Sequence, residues 1–201
     1  MTTTIIYAHP YTKSFNHAIL NKVIKAMRDN KEEYVVIDLY NDKFDPTYSA
    51  KELSLFSVGK TIDPLVSKYQ KIIKNTDKVI FIFPIWWNDT PAIIKGFIDK
   101  VMKKNFAYNV GSTGLIGNLK NIKKTLILTT STSPTFYLKI FCGNAIKDVF
   151  INSTLKQLKF KNRVWKNFGN IDHSSMNKRN EYLEKIANYV SEWVVKNNRI
   201  E

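Results

Sequence analysis

The 201-residue chain has a single cysteine, Cys142. No internal disulfide can form, and a cysteine-built metal site is excluded. One thiol fits a reducing compartment, so the expected location is cytoplasmic. No apolar run approaches the ~20 residues that span a bilayer, so membrane insertion is not expected. The start, Met1-Thr2-Thr3-Thr4, lacks the basic segment and apolar stretch of an export signal. No G-x-G-x-x-G or G-x-x-x-x-G-K-[ST] occurs, which removes the two common glycine-rich phosphate fingerprints. His17 and His173 have no metal-ligand spacing around them, and no metal is expected.

What is present suits one globular domain over residues 1–201. Hydrophobic residues make up 44% and charged residues 24%, enough to bury a continuous core. Lys and Arg number 31 against 17 Asp and Glu, for a net charge of +14. Such a surface concentrates anions, nucleotides among them. The lysines are scattered, with no arginine-rich stripe or interleaved aromatics, so no specific nucleic-acid partner is expected.

Hydrophobic spacing sets the order of elements. Thr3–Ala8 is a β-branched run halted by His9-Pro10, the first strand. Ser14 then caps a helix carrying Phe15, Ile19, Val23 and Met27 at four-residue intervals. Tyr34–Leu39 is the second strand, and the polar stretch up to Pro64 is mainly connection with a helical piece after Ala50. A helix over Leu65–Lys74 precedes Lys78–Phe83, whose nearly unbroken apolar character is that of a strand covered on both faces. Pro91 is expected at the first position of the next helix. Lys124–Thr130 is the fourth strand, Tyr137–Ile151 a helix, Arg163–Trp165 the fifth strand, and Tyr182, Ile186, Tyr189 and Trp193 mark a final helix. Five strands alternating with helices give an α/β fold, a doubly wound five-stranded parallel sheet with helices on both faces.

Ligands in such sheets bind beyond the carboxyl ends of the strands, which directs attention to three loops. The first, His9 to Asn16, combines hydroxyls at Thr12 and Ser14, the Asn16 amide, Lys13 and the N–H groups of a helix start, a set suited to phosphate. The same residues would also make an ordinary serine cap. The second, Pro84-Ile85-Trp86-Trp87-Asn88, sets two indoles past a buried strand, where they suit a flat conjugated ligand or a subunit interface. The third, Thr129-Thr130-Ser131-Thr132-Ser133-Pro134, is a hydroxyl cluster able to meet a polar ring edge or a ribityl chain.

Taken in order, Ala8-His9 with Ser14-Phe15-Asn16, Phe83–Trp87 running into Pro91–Phe97, and Phe106-Ala107-Tyr108 resemble the NAD(P)H:quinone oxidoreductase family, with its flavodoxin-like fold. The resemblance implies a homodimer with flavin at the subunit interface, FMN in preference to FAD, and hydride passing from NAD(P)H to a quinone, nitroaromatic or azo acceptor. By the family pattern, His9, Ser14, Phe15 and Asn16 lie along the phosphate and ribityl side. Pro84, Ile85, Trp86, Trp87 and Asn88 flank the ring, and Thr129, Thr130 and Ser131 meet its polar edge.

Two positions depart from that pattern. Ser131-Thr132 stands where a Gly-Gly pair is usual. Cys142 occupies the place of a histidine whose partner tyrosine is matched by Tyr137, so Tyr137 alone is carried over, as a hydroxyl donor on the substrate side. An alternative from another class is a flavin-binding regulatory subunit of a membrane transporter.

Overall fold

The structure, a computed structural model, describes residues 2–112 and 114–195; the domain expected over 1–201 extends past them at both ends. Five parallel strands form the sheet: β1 (Thr2–Tyr7), β2 (Glu33–Asp38), β3 (Lys78–Pro84), β6 (Lys124–Thr130) and β7 (Arg163–Phe168), in the order β2-β1-β3-β6-β7. The doubly wound sheet read from the sequence is this one. Its central strand β3 is buried along its whole length, and side-chain alternation divides it between two cores. Ile80 and Ile82 face α1 (Phe15–Asp29) and α6 (Met176–Val195), meeting Ile19, Val23, Met27, Ile186 and Val190. Phe81 and Phe83 face α3 (Pro64–Lys74) and α4 (Ala92–Val101) with Tyr69, Ile94, Phe97 and Phe150.

The long helix expected over Tyr137–Ile151 is two pieces. A short α5 (Thr135–Ile140) ends before Gly143 and Asn144, and a π-helix (Ile146–Leu155) follows. Gly143 and Asn144 take φ of 69° and 49°, a left-handed pair that no α-helix can pass through. Pro91 is the cap of α4 and not its first residue. A hairpin of β4 (Tyr108–Gly111) and β5 (Gly114–Gly117) lies outside the main sheet and was not foreseen. Its strands are too short for a periodic signal. The short α2 (Ala50–Ser54) is the helical piece of the β2–α3 connection. Among the described residues no helix is long and apolar enough to cross a membrane.

Candidate functional site

The sheet order turns at β1, since β2 lies on one side and all later strands on the other. A cavity of about 280 Å³ opens beyond the carboxyl ends of β1, β3 and β6. The first loop gives it His9, Ser14, Phe15 and Asn16, the second Pro84, Ile85 and Trp86, and the third Thr130 and Ser131. The sequence reasoning thus drew together residues from three distant segments. Backbone bonds fix their relative heights: Ala8 N donates to Ile82 O at 3.0 Å and Ile85 N to Thr130 O at 2.7 Å.

At the α1 end, Ser14 caps the helix, its Oγ accepting from His17 N at 3.1 Å. The N–H groups of Phe15 and Asn16 sit at the first two helical positions, where no intrahelical acceptor exists, and the helix dipole adds positive potential there. Asn16 is 3% exposed, and its Nδ2 donates to Thr130 Oγ1 at 2.8 Å. Its Oδ1 is buried and has no hydrogen-bond partner among the described residues. A buried amide oxygen left unpaired on a cavity wall is a costly feature in the absence of a ligand donor. His9 Nδ1 accepts from Tyr11 N at 3.1 Å, and its ring stands edge-on to Trp86. Burial pushes the His9 imidazole below its usual pKa, so the ring is neutral near pH 7.

The second loop reverses direction in four residues. Trp86 N donates to Asp89 O and Asp89 N to Trp86 O, both at 3.1 Å, and Trp87 and Asn88 have φ of 49° and 66°. Positive φ at both central positions is the type I′ pattern. The turn keeps Trp86 on the cavity wall and throws Trp87 outward, 98% exposed. Trp87 and Asn88 therefore do not line the cavity of the protomer.

Thr129 faces the other way. Its Oγ1 accepts from Trp165 Nε1 and donates to Asn167 Oδ1, each at 2.8 Å. Tyr137 lies on α5 outside the cavity, half-exposed, its ring 5.4 Å from that of Phe141. The cavity also takes Tyr11, Thr132 and Ile171, which the sequence reasoning did not select. Tyr11 and Thr132 sat inside loops already singled out. Ile171 comes from the segment after β7, where a short 3₁₀ turn (Ile171–His173) is fastened by Arg179 Nη2 to Ile171 O at 2.8 Å. A strand followed by a helix was the available signal for that fourth loop.

A second cavity of about 260 Å³ lies between α4, the hairpin and the π-helix, with Tyr48, Ile98, Tyr108 and Leu158 in its walls. None of the candidate site residues chosen from the sequence lines it, although Tyr108 of the Phe106-Ala107-Tyr108 block does.

The cavity at the strand ends fits a flavin mononucleotide by its donor set: helix N–H groups for phosphate, a buried amide oxygen for a ribityl hydroxyl, and Ile85 with Trp86 for an apolar ring. Comparison with known proteins points the same way. A protein-family model described as flavodoxin-like fold matches residues 1–192. An uncharacterized NAD(P)H oxidoreductase of Haemophilus influenzae is 27% identical over 188 residues, 93% of this chain and 93% of that protein. The guinea-pig (Cavia porcellus) NAD(P)H dehydrogenase (quinone) 1 is 32% identical over 149 residues, 66% of this chain but 54% of the relative, so the match spans about half that protein's length. Among solved structures, an NAD(P)H:quinone oxidoreductase from Methanothermobacter marburgensis superposes with a TM-score of 0.86 at 23% identity, covering 96% of this chain and 98% of that one. An FMN-dependent NADH-azoreductase from Bacillus anthracis, in complex with FMN, gives 0.77 at 17% identity, covering 96% and 98%.

Proposed function

This chain belongs to the family of proteins with the flavodoxin-like fold, and from that premise we propose that it is an FMN-dependent NAD(P)H oxidoreductase acting on quinones or related acceptors. The observation that carries the proposal is the convergence, in one cavity, of a capped helix start, the unpaired Asn16 Oδ1 and the Trp86 wall. The names of the relatives favour an enzyme over a transporter's regulatory subunit.

When bound, the flavin supplies two-electron transfer, accepting hydride from NAD(P)H and delivering it to a quinone, nitroaromatic or azo acceptor. The chain's own groups hold and orient it. Phe15 and Asn16 N–H groups and the α1 dipole neutralise the phosphate. Asn16 Oδ1 would accept from the ribityl chain, and Ser14 keeps the helix start in shape. Pro84, Ile85 and Trp86 would give the ring an apolar bed, with Thr130 on the wall of the same cavity.

Trp87, Asn88 and Tyr137 project from the protomer rather than into its own cavity. They serve the open side of the ring, where the donor and acceptor enter, and a second copy of the chain completes that side as a homodimer in the cytoplasm. Tyr137 donates its hydroxyl to the acceptor's oxygen. Anaerobic titration with NADH or NADPH after loading with FMN tests the proposal. The visible flavin bands should bleach and return on adding a quinone; a protein that takes up neither FMN nor FAD overturns it.

A further inference from the structure

Asn167 lies on β7, half-buried, with its amide oxygen and both amide protons engaged by residues between the end of β6 and the start of α5. Its Oδ1 accepts from Thr129 Oγ1 at 2.8 Å. Its Nδ2 donates to Ser131 Oγ at 2.8 Å and to Thr135 Oγ1 at 2.9 Å. One side chain therefore grips the last turn of β6, the loop after it and the first residue of α5. Gly169 lets the end of β7 come this close, since a Cβ there would stand 2.7 Å from Thr135 N and 2.9 Å from Ser133 O. Those are backbone or helix-start atoms that cannot give way.

The consequence falls on Ser131. Its N–H donates to Phe168 O at 3.0 Å, its carbonyl accepts from Ile171 N at 3.1 Å, and its Oγ donates to Ser133 O at 2.7 Å while accepting from Asn167. Ser131 is 4% exposed, and every one of its polar groups is engaged within the protein. Thr132, the next residue, is exposed and lines the cavity. The network turns the Ser131 hydroxyl back toward β7, so of the two residues that line the cavity here only Thr132 is exposed.

We infer that Asn167 is the positioning residue for the polar edge of the bound flavin ring, acting through Ser131 to set Thr132 on the cavity wall. The inference rests on the flavin assignment above. Asn167 does not line the cavity, and the loop it braces follows β6, whereas the phosphate is assigned to the start of α1. Its loss should therefore weaken FMN and riboflavin equally, since the two ligands differ only in the phosphate.

The test is fluorescence titration of the full chain with FMN and, separately, with riboflavin. Asn167→Ala should weaken both by about tenfold, the scale of one or two lost hydrogen bonds, with their affinity ratio unchanged. Asn167→Asp has the same shape and keeps an acceptor for Thr129 but loses both donors. It should act in the same direction, and it carries the test if the alanine variant does not fold. If the wild type binds FMN and both variants bind flavin as tightly, even with a lower melting temperature, Asn167 is only a structural brace and the inference is overturned. A loss confined to FMN also overturns it, because that would place Asn167 at the phosphate end. A wild type that binds neither ligand removes the flavin assignment, and the inference falls with it.

Discussion

Asn16 on α1 and Thr130 at the end of β6 are 114 residues apart in the chain and joined side chain to side chain at 2.8 Å. Both are buried, so the bond orients the Asn16 amide before any ligand arrives. Asn16→Asp removes the donor to Thr130 and puts a negative charge beside the helix start. A carboxylate on the first turn of α1 opposes the positive potential that receives the phosphate and repels it, so FMN affinity should fall by about tenfold or more. Riboflavin, without the phosphate, should lose far less. Titrating both ligands checks this; equal losses would show that Asn16 does not face the phosphate.

Ser14→Ala removes the α1 cap, whose Oγ satisfies His17 N. Caps of this kind contribute ~1 kcal/mol. The urea midpoint should drop accordingly without ligand. The deficit should widen in saturating FMN, because the helix start that Ser14 shapes is also the phosphate cradle. An identical deficit in both conditions would separate the cap from the site.

The parts of this fold written as simple repeats were legible in the sequence. β3 shows as an apolar run because both its faces are covered, and α1 as a four-residue stripe because one face is. The break at Gly143-Asn144 was not, since it depends on two left-handed residues inside a stretch whose apolar content continues on both sides. Of the candidate site, three loops could be found by their place after strands. The direction of each side chain could not. Thr129 and Thr130 are neighbours of one residue type, yet strand alternation sends Thr129 toward Asn167 and Trp165 and leaves Thr130 on the cavity. Trp86 and Trp87 divide likewise, through a turn whose geometry a Trp-Trp pair does not advertise.

Lys78 is 1% exposed, its Nζ 2.7 Å from Glu32 Oε1 and 2.9 Å from Val194 O. It ties the start of β3 to the α1–β2 turn and the end of α6. Lys78→Ala strands a mostly buried carboxylate, and breaking such pairs costs about 3–5 kcal/mol. Lys25 and Asp29 pair at 2.6 Å on the exposed face of α1, where Lys25→Ala should cost no more than ~0.5 kcal/mol. Urea unfolding of the two variants should separate them clearly. Equal effects would mean that the Lys78 pair is solvated.

Burial holds the His9 imidazole below its ordinary pKa of 6.5. The unfolded chain therefore takes up this proton at a higher pH than the folded one does, and stability rises with pH where it does so. The contribution is complete above pH 6.5 and declines as pH falls through that value toward the folded pKa. His9→Asn keeps an acceptor for Tyr11 N and has no titrating ring, so its unfolding midpoint should depend less steeply on pH between about 5 and 7. A wild-type and variant slope that coincide would show that His9 titrates alike in both states.

Trp87 combines two costs that packing does not repay. It stands in the left-handed region at φ 49° and is 98% exposed. A residue of this size in that conformation carries strain of order 1–3 kcal/mol, and glycine relieves it while losing ~0.5–1 kcal/mol to the greater freedom of its unfolded chain. Trp87→Gly should therefore raise the stability of the isolated protomer by about 1 kcal/mol, since no buried contact is lost within it. The same change takes away the indole proposed to flank the open side of the ring, and an aromatic contact worth about 0.5–1.5 kcal/mol corresponds to a loss of up to tenfold in kcat/KM for NAD(P)H-dependent quinone reduction. Thermal unfolding and steady-state kinetics on one preparation check both halves. A variant more stable and equally active would leave Trp87 without a part in turnover. A variant less stable would show that the exposed indole is covered in the assembled protein, which is the outcome a dimer packed over this turn requires.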